Sequence, residues 1–453
     1  MQEKSEFEEI KLKQVNIEGL HGYYNISIPL DKKANLFVGE NGLGKTTILN
    51  IIYFLLKKEY LKLANYDFKK ITIKTSSDKK ICLKYKNLEL LQHLQYLQHF
   101  DEKSNFKKKE LFKIQRNIER KLYRELNKEQ KLYLFDEIND TKHINHELFF
   151  NEKIDSQNMK NYIYELIEFD RNLSGLSTNK NLLYLPTYRR IENEFKEFDS
   201  EKIEDSGVLI RFGMSDVQKA IDTILDNIRQ EAMRDFSEMT GVLLKQYINA
   251  DNLVISKEAL DSEVVEIILE RVGTQIDTSD KKEILRLIQN KSFYNEPRYN
   301  YLRNLLNKLI ENYENQKVYD DKIKQFTKTC NNYFTDKYFY YDESTLTVDI
   351  FLKRDFQEKK ISLEELSSGE KQIVSIFSQL YLQLEEKTII IIDEPELSLS
   401  ILWQRKLLPD IIKSDKCEKL IAVTHSPFIF DNELEDEVSE IEKVVKVVSD
   451  FYE

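Results

Sequence analysis

Residues 39–47 read Gly-Glu-Asn-Gly-Leu-Gly-Lys-Thr-Thr. The pattern fits G-x-x-x-x-G-K-[ST], in which glycines let backbone N–H groups close around a phosphate at a helix N-terminus. Each position of the loop, Gly39, Glu40, Asn41, Gly42, Leu43, Gly44, Lys45, Thr46 and Thr47, is a candidate for nucleotide binding. Lys45 would reach the β- and γ-phosphates of a nucleoside triphosphate, and Thr46 would ligate Mg²⁺. A second acidic site lies far downstream, where Ile389-Ile390-Ile391-Ile392 leads into Asp393-Glu394-Pro395. Asp393 at the end of such a run suits the Mg²⁺ hydration shell. Glu394 can orient and deprotonate an attacking water. His425, in Ala422-Val423-Thr424-His425-Ser426-Pro427, closes another apolar run and suits a γ-phosphate contact.

These residues need strands and a helix to carry them. Residues 34–38 are apolar but for Asn35 and enter the glycine turn, and 45–56 have helical periodicity, which gives strand, turn, helix. Runs 10–17 and 23–28 read as strands, and 71–75 with 81–85 as a hairpin. Runs 388–392 and 420–423 are unbroken apolar stretches, as expected of central parallel strands buried on both faces. The run 182–186 ends in Pro186 and reads as a further buried strand, while 337–341 and 346–353 carry strand signals. Between these segments the apolar spacing is three and four. It predicts helices over most of 88–168, over 216–239 with Ser215 as a cap, and over 299–333. The expected fold class is α/β, a P-loop head split by a large, mostly helical insertion. The expected domains are 1–86 and 336–453 for the head and 87–335 for the insertion, with 182–192 returning to the head.

Bulk properties narrow the function classes. The chain has 453 residues and a net charge of −11, which does not favour DNA or an anionic membrane overall. No apolar run is long enough to span a bilayer, and the charged N-terminus lacks the apolar core of a signal peptide. Cys82, Cys330 and Cys417 are too scattered for a disulfide framework or a zinc site, so a cytoplasmic location is expected.

Residues 366–372, Leu-Ser-Ser-Gly-Glu-Lys-Gln, open a predicted helix 24 residues before Asp393 (393 − 369). A Ser followed by Glu three positions on also makes a plain capping box. The stretch resembles the signature motif of ABC-class ATPases of the SMC and RecF type, which implies that Ser368 and Gly369 cap a γ-phosphate held by a second subunit. In that family 396–400, Glu-Leu-Ser-Leu-Ser, would be the loop that crosses the dimer interface. The 321 residues from Lys45 to Leu366 (366 − 45) are too many for a transporter subunit. The intervening sequence lacks the sustained heptads of a long coiled coil.

A narrower resemblance rests on 184–192 (Tyr-Leu-Pro-Thr-Tyr-Arg-Arg-Ile-Glu), 212–217 (Phe-Gly-Met-Ser-Asp-Val) and 393–400 with Trp403-Gln404. It is to the OLD-type ATPases of bacterial phage-defence systems, such as the ATPase subunits of PARIS and, second, Septu. OLD nucleases carry a C-terminal TOPRIM domain. Only 28 residues follow His425 (453 − 425), so the resemblance implies a separate nuclease effector. It also implies a homo-oligomer, at least a dimer, and a phage trigger protein. The sequence departs from the family in one respect. No Q-loop glutamine follows 184–186, where Tyr188, Arg189 and Arg190 stand.

Weaker signals have plainer readings. Residues 101–131 carry eleven Lys/Arg against six Asp/Glu with interleaved aromatics. They suit either a nucleic-acid backbone or a solvated helix face. His143, His146 and Glu147 lack a zincin spacing. His21, Tyr23 and Tyr24 suit either adenine stacking or plain surface positions. The acidic stretch 433–442 reads as a surface helix.

Overall fold

The computed structural model describes residues 11–40, 42, 44–89, 156–175, 181–187, 213–249, 259–272, 276–354 and 357–447. The basic segment 101–131, His143, His146, Glu147, Arg189, Arg190, Asn41 and Leu43 lie outside them. In chain order the strands are β1 (Leu12–Leu20), β2 (Tyr24–Pro29), β3 (Ala34–Val38), β4 (Lys70–Thr75), β5 (Lys80–Lys84) and β6 (Leu182–Leu185). They continue with β7 (Lys337–Asp342), β8 (Thr347–Arg354), β9 (Gln357–Ile361), β10 (Thr388–Asp393), β11 (Cys417–Thr424), β12 (Val438–Glu440) and β13 (Val445–Val447). The longer helices are α1 (Lys45–Lys57), α2 (Ser156–Ser174), α3 (Met214–Asn249), α4 (Ser262–Arg271), α5 (Thr278–Ile288), α6 (Asn300–Asn331), α7 (Ser368–Ser378) and α8 (Ile401–Lys413).

The chain divides into two compact units, Met1–Gly207 with Glu386–Glu453, and Val208–Glu385. The first holds a parallel sheet in the order β12-β3-β11-β10-β6. All six residues of β10 are buried, as are four of five in β3. Its central strands are largely apolar because helices or loops must cover both faces of such a sheet. A second sheet in this unit, β13-β2-β1-β4-β5, is antiparallel. β1 accordingly alternates buried and half-exposed positions over most of its length.

The second unit packs α3, α4, α5, α6 and α7 with the antiparallel sheet β7-β8-β9. Its boundaries fall at 208 and 385, where the sequence reading put them at 87 and 335: α2 groups with the first unit, and β7–β9 and α7 group with the helices of the second. Val265, Leu269, Ile288, Phe293 and Leu306 form one core cluster there. Arg271 on α4 bonds Asp320 on α6 at 2.7 Å, both side chains being almost fully buried, and Tyr341 of β7 also donates to Asp320. Burial and the neighbouring carboxylates push the Tyr313 and Tyr341 phenols well above their ordinary value.

The acidic stretch 433–442 is not a surface helix. Glu435–Glu437 is a 3₁₀ turn and Val438–Glu440 is β12, paired in parallel with β3. Its charges are met by lysines: Glu433 by Lys413, Glu437 by Lys32 and Glu440 by Lys443. Among the described residues no helix is long and apolar enough to cross a membrane.

Candidate active site

β3, β11 and β10 lie side by side and run in the same direction, so their C-terminal ends share one edge. The register pairs Asp393 with Val423 and Thr424 with Val38. Three segments distant in sequence therefore deliver Lys45, Asp393 and His425 to one place. Open α/β sheets bind ligands at this edge.

The loop after β3 turns through Gly42 and Gly44, whose φ angles of 89° and 74° belong to the left-handed region that glycine adopts without strain. Gly44 is the N-cap of α1, with Lys45 and Thr46 in the first turn. Lys45 is 5% exposed, and its Nζ donates to Gly39 O at 2.7 Å and Glu40 O at 2.6 Å. Burial lowers the Lys45 ammonium from its ordinary value, and Glu394, Asp393, Glu442 and Glu396 oppose that shift. Tyr184 of β6 ties the far side of the helix. Its hydroxyl donates to Asn50 at 2.8 Å, and its ring stacks on Tyr53.

Thr46 Oγ1 donates to Asp393 Oδ2 at 2.8 Å, and Thr187 Oγ1 reaches the same oxygen at 3.3 Å. Lys45 Nζ stands 3.2 Å from His425 Nδ1, and His425 Nε2 stands 3.4 Å from Glu394 Oε1. An ammonium can only donate, so Nδ1 is the acceptor and Nε2 carries the proton. That Nε2 is buried without a well-formed hydrogen bond. Glu394 has φ 49°, an unfavourable conformation for a non-glycine residue. Backbone strain of this kind concentrates at functional sites.

The donor set fits a phosphate with Mg²⁺. Lys45, His425 Nε2–H and the glycine-turn amides suit an anion. A hydroxyl and a single carboxylate 2.8 Å apart suit an ion that takes its remaining ligands from water and phosphate. Gly39, Glu40 and Thr47 frame this turn, and Gly42 has open space around the position a Cβ would occupy.

The profile of the AAA ATPase domain family matches residues 10–430. The chain belongs to this family. Among curated proteins no sequence matches this ATPase. Solved structures similar to it include the Smc head domain with an extended coiled coil bound to the C-terminal domain of ScpA from Pyrococcus furiosus. That match has 14% identity over 97% of this chain and 96% of that one, with a TM-score of 0.34. The Smc head domain with a coiled coil and joint from Pyrococcus yayanosii matches at 12% identity over 97% of each chain, with a TM-score of 0.29.

Ser368 and Gly369 belong to the second unit of the ATPase, at the N-terminus of α7. The capping box forms around Ser367. Glu370 N–H donates to Ser367 Oγ at 3.4 Å, and Ser367 N–H to Glu370 Oε2 at 2.7 Å. It leaves the N–H groups of Ser368 and Gly369 pointing off the helix end, outside the intrahelical ladder. Lys337 of β7 holds Glu370 with bonds of 3.0 and 2.8 Å. Burial alone would push the Glu370 carboxyl up, but the bonds from Lys337 and Ser367 outweigh it and hold it below its ordinary 4.5.

A carboxylate depressed in the folded state adds stability above its unfolded value and loses it as pH falls through the folded one. Lys337→Ala is expected to cost about 1–2 kcal/mol near neutral pH. The difference should close below the carboxylate range, as read by urea unfolding at several pH values.

Glu396 and Gln404 fall within the motifs noted in the sequence, but nothing there tied either of them to the turn that carries His425. Glu396 Oε1 accepts from His425 N–H at 2.6 Å, and Gln404 Oε1 accepts from Ser426 Oγ at 2.6 Å. Their bonds cross 29 and 22 residues, so only the fold brings them together. Tyr23 and Tyr24 are exposed, at 56% and 39%.

Proposed function

We propose that this ATPase binds ATP between two copies of itself, hydrolyses it slowly, and uses the cycle to change the assembly of an antiviral defence complex that holds and releases a separate nuclease. The observation that carries the catalytic part is the linked cluster of Lys45, Thr46, Asp393, Glu394 and His425 at the edge of one parallel sheet. In this reading Lys45 binds the β- and γ-phosphates. Thr46 and Asp393 hold Mg²⁺, which neutralises phosphate charge when bound. Glu394 positions and deprotonates water, and His425 donates Nε2–H to the γ-phosphate.

Ser368 and Gly369 would cap the γ-phosphate bound by the other copy, as in ABC-class ATPases. The support is a helix N-terminus whose first two N–H groups the capping box leaves unused. The defence role is supported by the likeness of residues 184–192 and 393–400 to the OLD-type ATPases. The likeness is greatest to AriA of PARIS, with PtuA of Septu second. The expected effector is then a TOPRIM-type nuclease such as AriB, and a phage protein is the trigger.

The test is steady-state phosphate release across protein concentration, with light scattering on the same samples. Turnover per chain is expected to rise as dimer forms. Constant turnover in a monomer would overturn the sandwich. A RecF-like or SMC-like repair ATPase is the alternative. ATP-dependent DNA binding with a steep salt slope in low-salt filter assays would favour it over the scaffold.

A further inference from the structure

We propose that Glu396 is a positioning residue that fixes His425 against Glu394 and Lys45. The proposal rests on the reading of His425 given above. β11 ends at Thr424, and the chain then leaves the sheet. The N–H groups of His425 and Ser426 have no ladder partner there. One carboxylate reaches both, sharing Ser426 N–H with Thr424 Oγ1 at 3.0 Å. Glu396 Oε1 accepts from His425 N–H at 2.6 Å and from Ser426 N–H at 3.2 Å, and Oε2 accepts from Thr424 Oγ1 at 2.8 Å. Bonds to an ionised acceptor are about twice as strong as neutral ones.

A second latch backs the first. Gln404 of α8 donates Nε2–H to Leu399 O at 3.0 Å and to Glu396 O at 3.4 Å, and accepts from Ser426 Oγ at 2.6 Å. The turn after β10 and the turn after β11 are thereby joined side chain to backbone. That first turn is already constrained, since Glu394 and Ser398 hold φ of 49° and 63°.

The bonds grip the backbone of His425, not its ring. They set where its Cα sits, and hence whether Nδ1 meets Lys45 at 3.2 Å while Nε2 faces Glu394 at 3.4 Å. A displacement of about 1 Å at a reacting group costs on the order of 10²-fold in rate. Glu396 makes no hydrogen bond to Lys45, Thr46 or the glycine turn, although it is the last of the carboxylates that support the Lys45 ammonium. The clamp should therefore act mainly on kcat, with at most a modest rise in KM.

The experiment compares kcat and KM for ATP in Glu396→Ala, Glu396→Gln, His425→Ala and the Glu396→Ala/His425→Ala double variant. Each is also followed by hydrogen–deuterium exchange of the peptide containing 424–426. Glu396→Ala is expected to lower kcat roughly 30- to 100-fold at nearly constant KM, and to speed amide exchange at 425–426. Glu396→Gln retains an acceptor for both N–H groups, so it should recover to within about 10-fold of the parent. In the His425→Ala background the Glu396 substitution should have no further effect.

Unchanged kcat and exchange in Glu396→Ala would overturn the clamp, as would full additivity with His425→Ala. If His425→Ala keeps full turnover, the reading of His425 falls. The exchange data then decide the clamp on their own. Should Glu396→Ala fail to fold by thermal melt, the Gln variant carries the same comparison. Slowed turnover with unaltered exchange there would count against the proposal.

Discussion

Glu394→Gln loses ATP turnover by a factor of ~10²–10⁴, the usual contribution of a general base, while nucleotide still binds. The swap is isosteric, so the bond from Glu394 N–H to Val423 O at 3.0 Å survives. What disappears is the charge that can take a proton from water and that faces His425 Nε2 at 3.4 Å. Nucleotide binding should survive because the phosphate ligands proposed here, Lys45 and Thr46, keep their places on α1. Glu394 is the first of the carboxylates that support the Lys45 ammonium. Its neutralisation works against that charge, so any effect on affinity is a modest weakening. Phosphate release gives the turnover, and titration with a fluorescent nucleotide gives the binding. Full turnover in the Gln variant would refute the assignment of Glu394 as base.

That prediction was available from sequence because its residues sit at the ends of buried parallel strands. Such strands announce themselves as apolar runs, and β3, β10 and β11 all do. The chain after each run emerges at the same sheet edge, so Lys45, Asp393 and His425 meet without any need to know the rest of the fold. Glu396 had no comparable signal. Its role depends on two amide hydrogens 29 and 30 residues away in a turn of irregular backbone, and no local pattern encodes that. β12 was misread for a related reason. Three residues in a strongly acidic stretch carry no clear period, and pairing with β3 overrides their local composition. Around α7 two readings of one motif coexist. Ser367 and Glu370 do form the capping box, and this leaves the N–H groups of Ser368 and Gly369 at the helix end for another acceptor.

Lys45→Met should lower nucleotide affinity by roughly 10- to 10²-fold, the loss expected for one hydrogen bond between charged groups, without lowering the stability of the nucleotide-free protein. The two halves of this expectation have one cause. Lys45 is buried, and burial outweighs the four nearby carboxylates, so its ammonium is worse off in the folded chain than in water. A lysine with a depressed folded value weakens the fold at every pH below that value. The effect vanishes above the unfolded value of 10.5, where the amine is neutral in both states. Methionine fills a similar volume with no charge to desolvate. Three acceptors lose this donor, the Gly39 and Glu40 carbonyls and His425 Nδ1; their residues are half-buried or exposed, so water can replace it. The thermal midpoint of Lys45→Met should therefore equal or exceed that of the parent near neutral pH, with any gain shrinking in alkaline buffer. A drop of several degrees, or nucleotide binding at parental strength, would show that Lys45 serves the fold and not the phosphate. A lysine kept where it weakens the empty protein is the stability–function conflict expected when a cation is held ready for an anion.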